Sequence, residues 1–247
     1  MDTQKKNVLI TGGGGDIGRE IAKKFSRAGY RVLLNFRKVD ETITALLNEI
    51  NLEGGEIKEY IGDLQDLHSI KELFERIKKN EGRLDALINN AGVMHTGQMQ
   101  MLSDESIEEM VSVNIKAPYF CMKFAGRIMM GQEFGCIVNI GSVVGRVGSA
   151  GQVMYSGSKG AIETMTKSAA QELASYGIRV NCISPGVINT KLLSDFKMEA
   201  IKKIESRIPL QRIGTTEQIA DAVLFLCNAK SEYITGATLS VDGGFIG

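Results

Sequence analysis

A single α/β domain, a doubly wound parallel sheet with helices on both faces, is predicted by three features of the sequence. Short runs of apolar, often β-branched residues alternate with amphipathic helical stretches from one end of the chain to the other. Most of those runs are continuously apolar, as strands covered on both faces must be. The stretch after the first run reads TGGGGDIG at 11–18. It favours an open sheet over a closed β/α barrel, because an open doubly wound sheet carries phosphate-binding glycines in its first strand-to-helix turn.

The first strand is expected at Asn7–Ile10. A helix follows the glycines, with Ile17, Ile21 and Phe25 on one face and Arg19, Lys23, Lys24 and Arg27 off it. The second and third strands are Arg31–Phe36 and Glu56–Ile61. A helix with Ile70, Leu73, Phe74 and Ile77 set against Lys71, Glu72, Lys78 and Lys79 leads to a fourth strand at Ala86–Asn89. Cys136–Ile140, Arg179–Ser184 and Thr238–Val241 complete the set. Strict alternation implies parallel strands joined by right-handed crossovers. No linker, repeat or low-complexity tract interrupts the pattern, so residues 1–247 form one domain.

Composition narrows the function classes. The 247 residues are 43% apolar and 23% charged, ordinary for a soluble globular chain. Lys+Arg and Asp+Glu stand at 29 each, which gives no electrostatic pull toward nucleic acid or an anionic membrane. No apolar run approaches a membrane span and the N-terminus lacks a signal-peptide core, so a cytoplasmic location is expected. Cys121, Cys136, Cys182 and Cys227 show no C-x-x-C and share no ligand spacing with His68 or His95; buried thiols and no metal are expected. His95 reads as a loop histidine rather than an acid, and Met99 and Met101 as packing residues.

Gly13, Gly15 and Gly18 satisfy G-x-G-x-x-G, but four consecutive glycines match several registers. Context carries the nucleotide reading: a strand precedes, an amphipathic helix follows, and backbone N–H groups at a helix start suit a pyrophosphate. Asp16 is unwelcome beside a phosphate. Its side chain is expected to turn back and cap the helix, leaving the phosphates to the glycine amides.

Thr11-Gly12 and Ile17-Gly18 in this loop resemble the glycine motif of the short-chain dehydrogenase/reductase family. Further matches follow in order: NNAG at 89–92, Asn114 in VSVNIKAP, Ser142 in IVNIGS, Tyr155 and Lys159 in YSGSK, PG at 185–186 and VDGG at 241–244. Asp16 departs from the pattern, standing where the family usually has a glycine. The resemblance spans nearly the whole chain. It implies a Rossmann-like fold and a catalytic set of Asn114, Ser142, Tyr155 and Lys159. It also implies that Gly12, Gly14, Gly15, Asp16, Ile17, Gly18, Arg37, Asp63, Leu64, Asn90, Ala91, Gly92, Tyr155, Lys159, Pro185, Gly186, Ile188 and Thr190 meet the cofactor.

The chemistry suits these residue types. Tyr155 and Lys159 stand four apart on a helical pattern and share one face. An ammonium beside a phenol favours the phenolate, so Lys159 is expected to lower the Tyr155 pKa toward neutrality. The family's roles then make Tyr155 the acid toward a carbonyl oxygen, Ser142 a hydroxyl for that oxygen, and Asn114 the holder of a relay water. Phe36 falls where NAD-type enzymes carry an acid, and Arg37 and Lys38 follow, so NADP(H) is favoured over NAD(H).

IGSVVG, IPLQRIG and VDGG are most similar to bacterial β-ketoacyl-acyl-carrier-protein reductases, implying reduction of a 3-oxoacyl thioester. Those enzymes hold the acyl carrier protein with two arginines; Glu133 and Tyr176 stand at those positions here and count against that partner. Within a substrate-lid segment at about 186–214, Lys191, Lys197, Lys202, Lys203, Arg207 and Arg212 outnumber Asp195, Glu199 and Glu205. That excess suits either a phosphorylated acyl carrier or a solvated face. The enzyme alternative is a reductase or dehydrogenase of a free ketone, steroid or polyol. A non-catalytic nucleotide-sensing protein is a different class, and retention of both Tyr155 and Lys159 argues against it. The resemblance further implies a homotetramer, with helices around 107–130 and 152–176 paired across subunits.

Overall fold

In the computed structural model, which describes residues 5–193 and 198–245, seven parallel strands form one sheet in the order β3-β2-β1-β4-β5-β6-β7. They are β1 (Asn7–Ile10), β2 (Arg31–Phe36), β3 (Glu56–Ile61), β4 (Ala86–Asn89), β5 (Gly135–Ile140), β6 (Ile178–Pro185) and β7 (Thr238–Val241). The helices are α1 (Asp16–Arg27), α2 (Glu41–Leu52), α3 (Leu67–Glu81), α4 (Asp104–Val111), α5 (Ala117–Met130), α6 (Val144–Val147), α7 (Val153–Leu173), α8 (Met198–Glu205) and α9 (Thr216–Cys227). Asp195 and Lys197, counted in the charge excess of the lid segment, lie outside the described residues.

The apolar strand runs have a direct physical cause. Val8, Ile10, Val32, Leu34 and Ile88 point to one face, where α1, α2 and α9 cover them with Ile21, Phe25, Leu46 and Val223. Leu9, Leu33, Leu87 and Ile137 point to the other face, against Leu73, Ile77, Cys121 and Ala125 of α3 and α5. Side chains alternate along a strand, so two buried faces demand an apolar residue at nearly every position. The edges differ. β3 reads EIKEYI and is mostly exposed, its charges discouraging further strand pairing.

Caps set the helix boundaries. The Asp40 carboxylate accepts from the Ile43 N–H at 2.9 Å and opens α2. Asp66 accepts from His68 and Ser69 at 3.0 and 3.1 Å and opens α3. Gly82, at φ 70°, ends α3 in the left-handed conformation. The expectation that Met99 and Met101 pack inside is corrected. They lie on a three-residue turn at the outer surface of the β4-to-α4 connection, 65% and 79% exposed. Among the described residues, no helix is long and apolar enough to cross a membrane, and no group of three or more His, Cys, Asp or Glu gathers as metal ligands do.

Candidate active site

β1 and β4 are neighbours, but the helix after β1 covers one face of the sheet and those after β4 cover the other. Such a switch point opens a crevice at the carboxyl ends of the strands. It is a cleft of about 620 Å³, within the range of small-molecule and cofactor sites.

Its floor is the glycine turn. The Thr11 hydroxyl donates to the Ile88 carbonyl at 3.3 Å and accepts from the N–H groups of Asn90 and Ala91 at 3.0 and 3.1 Å. The Asn90 carboxamide donates to the carbonyls of Thr11 and Gly12 at 3.1 and 3.0 Å. These bonds lace the end of β1 to the end of β4. Gly12 sits at φ +66°, and a Cβ there would stand 2.7 Å from the Ala91 Cα; a Cβ on Gly18 would strike the Gly12 carbonyl oxygen. A Cβ on Gly13 would strike Leu34 of β2, which resolves the register: Gly13 faces the sheet, and Gly12, Gly14, Gly15 and Gly18 line the cleft.

Asp16 corrects the capping expectation. It begins α1, but Gly15 is the N-cap and no side chain caps that end. One carboxylate oxygen pairs with Arg19, and the other accepts from the backbone N–H of Lys191 at 2.6 Å.

At one end of the cleft, Arg37 and Lys38 follow β2, and Asp63 and Leu64 follow β3. The Arg37 guanidinium lies 4.0 Å from Glu109 Oε1, and Glu109 Oε2 lies 2.7 Å from His95 Nε2. His95 lies in a loop, as expected, and its ring is tied to Glu109 of α4.

Beside Gly92 of the cleft wall, α7 carries Tyr155, Lys159 and Glu163 one turn apart. Lys159 is buried, and its Nζ donates to the Ile140 carbonyl at 2.9 Å, 5.8 Å from the centre of the Tyr155 ring. Ser142, just beyond β5, stands close enough to the Tyr155 phenol to act on its acidity. Asn114 sits in a π-helical turn, Ser112–Lys116, between α4 and α5. Such insertions redirect a side chain and recur at functional sites. Its carboxamide accepts from the Val93 N–H at 2.9 Å and donates to the Val93 carbonyl at 2.8 Å and the Ser158 hydroxyl at 3.1 Å. Gly92 lies between: a Cβ there would be 3.4 Å from Lys159 Nζ and 3.5 Å from Asn114 Oδ1. Asn114, Ser142, Tyr155 and Lys159 thus form one group.

Electrostatics revise one expectation. Burial pulls the Lys159 ammonium down to about 8. Burial also raises the Tyr155 phenol above its ordinary value, and Ser142 works the other way. The phenol is thus held above its ordinary value rather than drawn toward neutrality.

Of the residues expected to meet the cofactor, Gly12, Gly14, Gly15, Asp16, Ile17, Gly18, Arg37, Asp63, Leu64, Asn90, Ala91, Gly92 and Thr190 line the cleft. Tyr155, Lys159, Pro185, Gly186 and Ile188 stand outside its wall. Gly186 packs on Asp242, where a Cβ would lie 2.7 Å from the Asp242 Cα, so the PG and VDGG motifs support each other. Ile188 is buried and bridges to Gly214. Asn35, Asp40, Ile43, Gly62, Val93 and Val113 also line the cleft and escaped sequence reasoning. Their usable signal was position, since most lie at or just beyond the carboxyl ends of strands. The Arg146–Glu163 pair at 3.0 Å, which clamps α6 to α7, left no local signal.

Glu133 and Tyr176 occupy turns that precede β5 and β6, which start with the paired residues Gly135 and Ile178. That is the end of the sheet opposite the cleft.

Close-approach glycines fit a phosphate-bearing nucleotide, and the Ser–Tyr–Lys group beside them defines a nucleotide-dependent oxidoreductase. A sequence model described as enoyl-(acyl carrier protein) reductase matches residues 14–246. The chain belongs to the short-chain dehydrogenase/reductase family and is an oxidoreductase. It is 39% identical over 246 residues to the 3-oxoacyl-[acyl-carrier-protein] reductase FabG of Buchnera aphidicola subsp. Schizaphis graminum, covering 99% of this chain and 98% of that one. The FabG of Thermotoga maritima is 34% identical, with both chains fully covered. Among solved structures, a candidate NAD(P)-dependent gluconate 5-dehydrogenase from Beutenbergia cavernae, with NADP bound at low occupancy, superposes with a TM-score of 0.92. It is 31% identical, over 98% of this chain and 97% of that one.

Proposed function

We propose that the chain is an NADP(H)-dependent carbonyl reductase that converts a 3-oxoacyl thioester to the 3-hydroxyacyl thioester. The observation that carries this reading is the grouping of Ser142, Tyr155, Lys159 and Asn114 behind Gly92, which lines the glycine-floored cleft. When bound, the nicotinamide cofactor supplies the hydride. Gly12, Gly14, Gly15 and Gly18 let the backbone approach its pyrophosphate, and Arg37 meets its 2′-phosphate. Ser142 holds the substrate oxygen and Tyr155 gives it a proton, while Lys159 and Asn114 position the proton donor. The FabG names of full-length relatives support the thioester substrate, and the NADP in a 31% identical neighbour supports the cofactor.

Glu133 and Tyr176 favour a free or coenzyme A-linked acyl group over a carrier protein. The same two residues, with the gluconate dehydrogenase name of a structural neighbour, support the second reading, a dehydrogenase of a polyol or sugar acid. A homotetramer in the cytoplasm, paired through α5 and α7, and a substrate lid over 186–214 complete the proposal. The test is NADPH consumption with acetoacetyl-coenzyme A, an acetoacetyl-carrier protein and a free diketone, beside NADP⁺ reduction with gluconate. Thioester turnover well above the rest is expected. Turnover with gluconate alone selects the second reading.

A further inference from the structure

Asp16 and Lys191 are 175 positions apart in the chain, yet a hydrogen bond of 2.6 Å joins them. From Asp16 Oδ2 to the Lys191 N–H, it crosses from the first residue of α1 to the segment beyond β6. That segment has firm feet. Asn189 N–H donates to the Gly214 carbonyl at 2.8 Å, and Gly214 N–H donates to the Val187 carbonyl at 3.0 Å. Beyond Asn189 the chain leaves this pairing and starts a short turn, in which Leu193 N–H donates to the Thr190 carbonyl at 2.9 Å. The Lys191 N–H finds its acceptor on the glycine-loop side of the cleft instead. Thr190 and Lys191 line the cleft, and so does Asp16.

The carboxylate suits this task. It stands at the positive end of α1, and its second oxygen is held by Arg19, which fixes the rotamer and balances the charge. The Asp16 side chain is only 19% exposed. A hydrogen bond from a backbone amide to a partly buried carboxylate is of the stronger, charge-assisted kind. Neutralised by Arg19 and directed at Lys191, the carboxylate is diverted from any phosphate over the glycines.

We infer that Asp16 is a positioning residue, which pins the turn at residues 190–193 to the cofactor-binding end of α1 and so sets where Thr190 stands over the cleft. The inference rests on reading the cleft as a dinucleotide site, but the tie itself is testable without any ligand.

The experiment compares wild type with Asp16→Gly, which removes both contacts, and Asp16→Asn, which keeps an oxygen for the Lys191 N–H but loses the charge. Limited trypsin digestion of the ligand-free proteins is read at Lys191, Lys202, Lys203 and Arg207, with cleavage elsewhere and the melting temperature as controls. Asp16→Gly should be cut at these sites about tenfold faster, the loss of a bond of about 1.4 kcal/mol. Cleavage elsewhere should hold steady, and Asp16→Asn should fall between. With NADPH and the carbonyl substrate found active, KM should rise more than kcat falls in Asp16→Gly, and Asp16→Asn should recover most of it. Wild-type digestion and KM in Asp16→Gly would overturn the tie. So would a large gain in NADPH affinity that salt abolishes, since that places the carboxylate against the phosphate. Should Asp16→Gly lower global stability, the Asp16→Asn comparison decides: no protection relative to Gly also overturns it. Absence of turnover in wild type counts against the proposed function and leaves the digestion result to stand alone.

Discussion

The Lys159 ammonium donates to the main-chain oxygen of Ile140 at 2.9 Å, joining the middle of α7 to the last residue of β5. The contact satisfies one of the three ammonium protons, while burial opposes the charge and brings the pKa from 10.5 down to about 8. The sign of the stability effect follows. Between pH 8 and 10.5 the unfolded chain holds this proton more firmly than the folded one, so folding gains stability as pH rises through that window. Replacing Lys159 by Met should remove this contribution, on the order of 2–3 kcal/mol across the window. Urea midpoints of both proteins at pH 7 and pH 10 measure it. Parallel pH dependence in the two would contradict the assignment.

Tyr155→Phe deletes one hydroxyl and keeps the ring. NADPH affinity and melting temperature should stay near wild type, while turnover falls by about 10²–10⁴. Near wild-type turnover would remove Tyr155 from the mechanism.

Arg37 lies between the cleft and Glu109, so a 2′-phosphate and Glu109 compete for one guanidinium. Arg37→Ala should weaken NADPH by roughly tenfold to a hundredfold and NADH hardly at all, as loss of a charge-assisted bond predicts. Glu109→Gln should act the other way and tighten NADPH by a factor of about two to five, because a mostly exposed pair is worth under about 1 kcal/mol. Fluorescence titration with both nucleotides reads the two effects. Equal losses for NADPH and NADH in Arg37→Ala would count against the phosphate contact.

Asn114 is buried, and its carboxamide bonds Val93 and Ser158. Asn114→Ala strands the Val93 N–H and carbonyl, a cost of about 1–3 kcal/mol. A drop in melting temperature of several degrees should accompany the loss of activity. An active-site role with no part in holding Val93 would leave the melting temperature unchanged.

The strands were legible because burial on two faces writes itself into consecutive residues, as in Val8-Leu9-Ile10 and Val32-Leu33-Leu34. The catalytic group was legible through motif order and through the four-residue step from Tyr155 to Lys159. What periodicity could not show is what depends on distant partners. The π turn that aims Asn114 departs from helical spacing. The destination of Asp16 lies 175 residues away, so a local rule gave it the wrong role as a cap. The direction of the Tyr155 shift was misjudged because the burial that raises it cannot be read from the YSGSK motif.

The strand order separates two kinds of tuning. Arg37 follows β2 and Ser142 follows β5, with β1 and β4 between them. Three strand spacings put the two regions about 14 Å apart, beyond the Debye length of about 8 Å in physiological salt. On the proposed reading, altering charge near Arg37 changes which currency of reducing power the cleft accepts, with little effect on the acidity of Tyr155. The two traits can drift separately.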